Sequence, residues 1–281
     1  MDIVCLHDKA EIESCLRREV ALNIYSLGDL DEFFWPYTQW YALKTAGGIQ
    51  VIALLYTATS PPVLLALSPA DNTVQLRKLL SALLPLLPRK VYTHLSLRVE
   101  DVLAASYDMM SYGIHQKMIL QDRACFQAFL SSSVNPLTSA HLQEILALYR
   151  TSYPENAFDP RMLETGQCFG VWEGNQLVSV AGVHVYSPVY RVAAIGNVTT
   201  HPNYRNRGLA KSVTAALCQS LVGVVDHIGL NVKQENFAAV ECYRQLGFEA
   251  CGFYHEIMAS LKMDKGDESL YAISCSKTRQ P

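Results

Sequence analysis

The sequence predicts an α/β protein made of two halves with a similar order of elements, and three observations support this. The chain has 281 residues, enough for one large domain or two ordinary ones. Half of the residues are hydrophobic and 17% are charged, a composition typical of a packed globular protein. Strand-like and helix-like segments alternate, and their order recurs after a segment rich in Ser, Asn and Pro, SSSVNPLTS at 131–139.

Composition and charge disfavour several classes of function. The net charge of −3 gives no basic footprint for nucleic acid. The eight cysteines form no CxxC or CxxH pair, so no metal site is predicted and we expect buried thiols in a reducing compartment. The N-terminus has no long apolar run of a secretory signal, and the other apolar stretches are too interrupted to span a bilayer. We therefore expect a cytoplasmic protein that binds neither nucleic acid nor membrane.

The elements of the first half follow from apolar periodicity and turn chemistry. Ala46-Gly47-Gly48 lies between two apolar runs, which predicts a β-hairpin. Leucines at helical spacing predict a helix over 74–87. The other elements are predicted in order as a strand at 1–7, two helical segments over 8–34, a strand at 61–68, a strand at 90–97, a helix at 99–110 and a strand at 114–121.

The second half repeats this order. Thr138 and Ser139 fit the cap of a helix that extends to residue 153. Glu173-Gly174-Asn175 fits the turn of a hairpin. The elements that follow are predicted as a strand at 190–201, a helix at 208–222, a strand at 227–232, a helix at 236–246 and a strand over 248–261.

The segment HPNYRNRGLAKSV joins a predicted strand to a predicted helix. A helix N-terminus presents unpaired N–H groups and partial positive charge. Gly208 and Ala210 add little bulk, so a diphosphate could approach the backbone closely. Further positive charge comes from Arg205, Arg207 and Lys211. Taken alone, these residues favour a solvated basic turn over a phosphate site, because short motifs recur by chance.

Two further features favour the phosphate site. Gly196 lies inside the preceding strand, where glycine often marks a bulge or a close backbone approach. One unit later, Asn236 fits a helix N-cap and Gly247 fits the C′ position of the same helix. Ala239 and Tyr243 share one face of that helix.

These residues carry a resemblance to a known family. VTTHPNYRNRGLAKSV, followed by LNVKQENFAAVECYRQLGF, resembles the cofactor-binding core of the GNAT (GCN5-related) N-acetyltransferase superfamily over about residues 134–262. The pattern is similar to the branch that holds glycine N-acyltransferase-like enzymes. The resemblance implies two GNAT-like lobes, each a twisted, mixed, mostly antiparallel sheet flanked by helices. It further implies that two central strands splay apart to hold acetyl-CoA, the expected cofactor.

The resemblance also implies which residues bind that cofactor. In the family, the strand before the loop pairs with the pantetheine, and a Q/R-x-x-G-x-G/A loop binds the pyrophosphate. An Asn after the next strand and an Ala on the following helix border the cofactor. Carried over to this sequence, the cofactor-binding positions are Val198, Thr199, Thr200, Arg205, Asn206, Arg207, Gly208, Leu209, Ala210, Lys211, Asn236 and Ala239.

The catalytic residue that the resemblance implies is Tyr243, which would protonate the leaving thiolate. A free thiol has a pKa of ~8.5 and tyrosine of ~10, so a positioned tyrosine can donate its proton as charge develops. Many family members place a glutamate base on the strand before the loop, but Val192–Asn197 contains no carboxylate. His184 and His201 are the candidate bases, and an acceptor that arrives neutral needs none.

The first half lacks the features of a cofactor site. Its corresponding loop, Ser68–Thr73, has no glycine or arginine and has one acidic residue, which is unfavourable for a diphosphate. Tyr107 stands roughly where Tyr243 stands in the second half. We predict a degenerate lobe at 1–130 packed on a catalytic domain at 131–281. The aromatic segment Phe33–Tyr37 would be part of the acceptor wall or plain core.

The sequence therefore predicts an acyl-CoA-dependent N-acetyltransferase that acts on the amine of a small molecule or amino-acid-like acceptor. A protein or peptide acceptor is the alternative within enzymes. A non-catalytic acyl-CoA-binding sensor is the alternative outside them, because the strand before the loop lacks the carboxylate. No pattern in the sequence identifies the acceptor, the acyl chain or the oligomeric state.

Overall fold

One mixed β-sheet of twelve strands forms the framework of the computed structural model, which describes residues 2–262. The first half of the chain contains β1 (Asp2–Leu6), α1 (Lys9–Leu16), α2 (Val20–Gly28), β2 (Thr38–Thr45), β3 (Gly48–Tyr56), β4 (Val63–Ala66), α3 (Thr73–Leu83), β5 (Lys90–Ser96), α4 (Glu100–Ala104) and β6 (Tyr107–Leu120). The second half contains β7 (Val134–Pro136), α5 (Leu142–Ser152), β8 (Phe169–Glu173), β9 (Gln176–Ser187), β10 (Val192–Thr200), α6 (Leu209–Leu221), β11 (His227–Lys233), α7 (Phe237–Gln245) and β12 (Phe248–Leu261). None of the helices within these residues is both long and apolar enough to cross a membrane.

The strand order shows that the two halves exchange their last strands. The order is β1-β2-β3-β4-β5-β12-β6-β11-β10-β9-β8-β7. From either edge, five strands of one half are followed by the final strand of the other half. β12 pairs with both β5 and β6, and β6 pairs with β11. The predicted pair of lobes, each a mostly antiparallel sheet flanked by helices, is confirmed, but their two sheets are joined into one.

Among the strands of residues 2–262, two neighbouring pairs are parallel, and they occupy corresponding places in the two halves. β4 pairs with β5 and β10 pairs with β11, each over four residues. Each parallel pair is connected by one helix, α3 in the first half and α6 in the second. This is the β–α–β unit that the repeated element order predicts.

Helix α2 of the first half packs on the sheet of the second half. A Cβ added at Gly28 would lie 1.8 Å from Cγ1 of Val185 on β9. A Cβ added at Gly229 on β11 would lie 2.6 Å from Cδ1 of Ile24. Two glycines therefore permit this close packing. As a result Tyr25, which follows Ile24 on α2, lies over the centre of the second half.

Local turns and caps follow the sequence. The two predicted hairpins are β2–β3 and β8–β9. Thr138 and His141 form a reciprocal cap before α5. The side chain of Asn236 accepts the amide of Ala239 at 3.2 Å, and Gly247 has a φ of 94° after α7. These features depend on neighbouring residues, which is why they can be predicted from sequence.

Two predicted segments differ from the structure. The helix predicted over 99–110 ends at Ala104, and Tyr107–Met110 instead begins β6, paired with the end of β12. Pairing with a distant strand outweighs the local helical pattern here. Tyr107 is therefore not on a helix as Tyr243 is, and its hydroxyl donates to the carbonyl of Pro88 at 3.1 Å. The predicted linker contains the short strand β7.

The aromatic segment Phe33–Tyr37 is part of the core at one position, as predicted. Phe34 is buried in the core, whereas Tyr37 is exposed. The guanidinium of Arg161 lies 5.3 Å from the ring centre of Phe33 and 5.1 Å from that of Tyr37. Arginine over aromatic rings is a stabilising arrangement, so this segment also ties the first half to the second.

Candidate active site

The centre of the second half is an opening between β10 and β11. These strands pair only over Val192–Ile195 and His227–Leu230, although β10 continues to Thr200 and β11 to Lys233. The pairing of β10 with β9 is also irregular between Gly196 and Thr199, where β10 bulges. We call this opening the splay. It exposes main-chain groups of β10 to a ligand that could lie along the strand.

Gly196 is required at the bulge by a histidine ring. A Cβ at this position would lie 1.8 Å from Cδ2 of His184 on β9. The predicted close approach at Gly196 therefore has a specific partner. Burial lowers the pKa of His184 to about 4, so this ring is neutral at physiological pH.

The residues after Gly196 follow the predicted order along the splay. Asn197 is buried with a φ of 55°, and its carbonyl accepts the hydroxyl of Tyr149 at 3.0 Å. Its side-chain Oδ1 is buried with no partner among the described residues. Val198, Thr199 and Thr200 continue to the open end of β10. An unpaired buried amide oxygen is costly, so Asn197 is a position where a ligand would restore a hydrogen bond.

The predicted pyrophosphate loop connects the open end of β10 to α6. Asn206 and Gly208 both have positive φ, 63° and 78°, and a Cβ at Gly208 would meet nothing within 4 Å. The Ser212 amide donates to the Gly208 carbonyl at 3.1 Å, so the helix begins its hydrogen bonding there. The amides of Leu209 and Ala210 come before this first helical bond, so they have no acceptor within the helix. They point toward the loop, as at any helix start. Unpaired amides at a helix start are typical of anion-binding sites.

Three cations surround this loop. Nε of Arg205 lies 3.4 Å from the Thr200 carbonyl, and the Arg207 guanidinium lies 5.0 Å from the ring centre of Tyr204. Nζ of Lys211 donates to Gln245 at 2.9 Å. Within residues 2–262 no carboxylate forms an ion pair with any of the three, so their charge is available to a ligand.

Tyr243 lies on α7 with its side chain directed into the structure. The residue is 9% exposed, and its ring packs edge-on against Phe248 at 6.1 Å between centres. Burial raises the pKa of Tyr243 above its ordinary value. The raised pKa keeps the hydroxyl protonated at neutral pH, and the hydroxyl has no hydrogen-bond partner among the described residues.

Sequence reasoning missed a cluster of titratable groups where the exchanged strands meet. Glu256 of β12 accepts the hydroxyl of Tyr254 at 2.5 Å and also that of Tyr92. Nε2 of His94 lies 3.5 Å from one carboxylate oxygen, and Nε2 of His115 lies 3.4 Å from the other. We call these five residues the Glu256 cluster. Burial opposes ionisation of Glu256, but these four partners outweigh it and hold its pKa below the ordinary value.

A buried lysine connects this cluster to the splay. Lys117 of β6 is 2% exposed, and its Nζ donates to Oδ1 of Asn231 at 3.2 Å. Asn231 directly follows Leu230, the last residue of β11 that pairs with β10. Nζ also lies 4.8 Å from the ring centre of Tyr25 and 5.5 Å from that of Tyr254. Burial lowers the pKa of Lys117 to about 8.

The predicted base candidates lie in different surroundings. His184 lies beside the splay, 6.2 Å from Tyr25 between ring centres. His201 lies after β10, where its Nδ1 accepts the amide of Asn203 at 3.3 Å. That bond caps the turn Pro202–Tyr204 and occupies the nitrogen that a base would use.

The corresponding opening in the first half is closed by a serine. β4 and β5 pair up to Ala66 and Leu95, and Ser96 then bonds across the gap. Its Oγ accepts the amide of Ser68 at 2.8 Å and donates to the carbonyl of the same residue at 3.1 Å. Main-chain groups that are open in the splay are therefore already bonded in the first half.

Part of the sequence matches a known protein family. Residues 137–248 match the family model described as the acetyltransferase (GNAT) family. This segment is therefore similar to the GNAT family. No curated protein matches the sequence at a significant level.

Several solved structures share the fold, and two of the three that follow are described as GNAT or GCN5-related proteins. A Drosophila protein superimposes with a TM-score of 0.69 at 12% identity, covering 91% of this chain and 97% of that one. A GCN5-related N-acetyltransferase from Sphaerobacter thermophilus gives 0.56 at 10% identity, covering 93% and 96%. A tandem GNAT protein from the clavulanic acid biosynthesis pathway gives 0.54 at 13% identity, covering 94% and 99%. The fold is thus shared along nearly the whole chain.

Among residues 2–262, no three His, Cys, Asp or Glu side chains are grouped so that they could hold a metal ion.

Proposed function

We propose that this GNAT protein is an acyl-CoA-dependent N-acetyltransferase that acetylates the amine of a small or amino-acid-like molecule. The observation that carries the proposal is that the splay leads directly into the glycine loop before α6. An acetyl-CoA molecule could lie along β10, with its pantetheine at Val198–Thr200 and its pyrophosphate at the amides of residues 206–211. Arg205 and Lys211 would supply the positive charge.

The chemistry of the step fits the groups around the splay. A neutral amine attacks the thioester carbonyl, and the CoA thiolate leaves. Tyr243 is our proposed acid, because its hydroxyl is protonated and has no partner among the described residues. Holding the two reactants together would supply much of the remaining acceleration.

Two features favour a small acceptor over a protein. The groups beside the splay, such as Lys117, are buried at the centre of the sheet. They come from both halves of the chain, as Lys117 on β6 and Asn231 on β11 do. The seven cysteines among the described residues are all free, which supports a reducing compartment such as the cytoplasm.

The first half would then act as a degenerate lobe. Ser96 closes its opening, and its loop at Ser68–Thr73 carries no cation. We propose that residues 1–130 support the catalytic part at 131–281 and bind no acetyl-CoA. One molecule of acetyl-CoA should therefore bind per chain in calorimetry, and two would contradict this assignment.

A screen of amines with acetyl-CoA, followed by release of free thiol, tests the proposed activity. Turnover with small amines supports the proposal, and turnover only with peptides favours the protein N-acetyltransferase. Binding of acetyl-CoA without thiol release from any acceptor favours the sensor. An absence of acetyl-CoA binding by calorimetry refutes all three.

A further inference from the structure

β10 carries no carboxylate that could act as a base. β6, one of the two exchanged strands, carries a lysine that could. We propose that Lys117 of β6 takes the proton from the acceptor amine, and that the acceptor is a primary amine that arrives as its ammonium ion. This inference rests on the proposed function, because it assigns a role within that reaction. It would make the first half a direct contributor to catalysis.

The position of Lys117 supports this role. Its register partner on β11 is Asn231, at the point where β10 and β11 have just separated. The hydrogen bond from Nζ to Oδ1 of Asn231 fixes the amine at the inner edge of the splay. The acyl group of a thioester lying along β10 would end near this point.

The surroundings of Lys117 are unusual for a structural lysine. A buried ammonium is normally paired with a carboxylate, because an isolated buried charge is costly. Within residues 2–262, no carboxylate lies within ion-pair distance of Nζ, and Asn231 is its hydrogen-bond acceptor. A lysine held in this way exchanges its proton readily near neutral pH, as a general base must.

The titratable and polar groups around Lys117 come from four elements. Burial lowers the pKa of Lys117 and outweighs the opposite influence of Cys251 and Glu256. The negative charge of Glu256 also favours entry of an ammonium ion into the site. The groups that face Lys117 are Tyr25 on α2, His94 on β5, Cys251, Tyr254 and Glu256 on β12, and Asn231 on β11.

The proton balance of the step is complete without any further reactant. The substrate ammonium gives one proton to neutral Lys117. The free amine then forms the C–N bond, and the C–S bond breaks. The thiolate takes the proton of Tyr243, and the remaining extra proton on the new amide nitrogen restores Tyr243. Lys117 releases its proton to solvent, so the products are the amide, CoA thiol and one proton.

Two substitutions of Lys117 distinguish a role as a base from a role as a positive charge that only stabilises the site. Lys117→Arg keeps the charge but cannot lose a proton near neutral pH. Lys117→Met removes both the charge and the base. Lys90→Met is the matched control, because Lys90 is an exposed lysine on β5, in the same sheet.

The probes are ethylamine, which is an ammonium ion at pH 7, and 2,2,2-trifluoroethylamine, which is largely neutral there. Both Lys117 variants should lower kcat/KM for ethylamine by ~10²-fold or more at pH 7. The loss should shrink as pH rises and free ethylamine accumulates. With trifluoroethylamine the loss should stay below about tenfold, because that amine needs no base. Acetyl-CoA affinity should be unchanged in all variants, which shows that they are folded.

Three results would overturn the inference. The first is ethylamine activity of Lys117→Arg equal to that of the wild type. The second is an equal loss for both amines at every pH, which indicates a structural or electrostatic role. The third is a wild-type protein that binds acetyl-CoA but acetylates neither amine, which refutes the proposed acetylation of small amines as well. In the first two cases the proposed function survives.

Discussion

Replacing Gly196 by alanine should destabilise the protein through one contact, the ring of His184. The added Cβ would lie 1.8 Å from Cδ2, 2.2 Å from Nε2 and 2.6 Å from Cγ, where ordinary contacts are 3.4–4 Å. All three atoms belong to a rigid ring, so the ring must rotate or the strands must separate. Overpacking of this kind typically costs ~1–3 kcal/mol, and we expect about 2 kcal/mol at Gly196.

A double-mutant cycle measures this contact. Urea unfolding at 25 °C would be compared for the wild type, Gly196→Ala, His184→Ala and the double variant. Without the ring, Gly196→Ala should cost less than about 0.5 kcal/mol, which gives a coupling energy of about 1.5 kcal/mol. Gly47→Ala is the control, because its Cβ would meet only Oγ1 of Thr45, at 3.6 Å. An equal cost of Gly196→Ala with and without the ring refutes this explanation.

Three further predictions concern the site and its surroundings. Tyr243→Phe should lower kcat by ~10²–10⁴-fold and leave the acetyl-CoA Kd unchanged in calorimetry, whereas unchanged turnover contradicts its role as acid. Gly208→Ala should lower the free energy of unfolding by ~1–2 kcal/mol in urea, because alanine disfavours a φ of 78°, and Gly208→Asn should cost less. Burial raises the pKa of Asp29 from 3.8 to about 8, so the folded chain keeps a proton that the unfolded chain loses in this range. The contribution of Asp29 to stability is therefore complete below about pH 4 and falls as pH rises towards 8, by at most ~1.4 kcal/mol per pH unit. The free energy of unfolding of the wild type minus that of Asp29→Asn should show this slope, and a difference independent of pH contradicts it.

Features that depend on neighbouring residues could be predicted from the sequence. Asn236 caps α7 and Gly208 begins α6 with positive φ, because cap and turn chemistry act over a few residues. Gly196 was expected to mark a bulge or close approach, and both are present. The family resemblance directed attention to the same segment, and the GNAT match at 137–248 agrees with it.

The Glu256 cluster and Lys117 could not be predicted, because they depend on register between distant strands. Local sequence gives no indication that β12 enters the sheet between β5 and β6. One weak signal was present in the sequence. Three strands each carry two titratable side chains that are two residues apart: Tyr92 and His94, His115 and Lys117, and Tyr254 and Glu256. Alternation at i and i+2 places each pair on one face of its strand. Only the strand exchange shows that the three faces meet.

The exchange of β6 and β12 also constrains how the chain can fold. The hydroxyl of Thr93 on β5 donates to the carbonyl of Ile257 on β12, across 164 residues of sequence. During synthesis, most of the first half therefore leaves the ribosome before β12, the partner of β5, has been made. Contacts between residues so far apart in the sequence also form slowly. The unpaired edge of β5 is a site for aggregation during that interval. Neither half should be soluble when synthesised alone, whereas two fragments cut between them should assemble when expressed together.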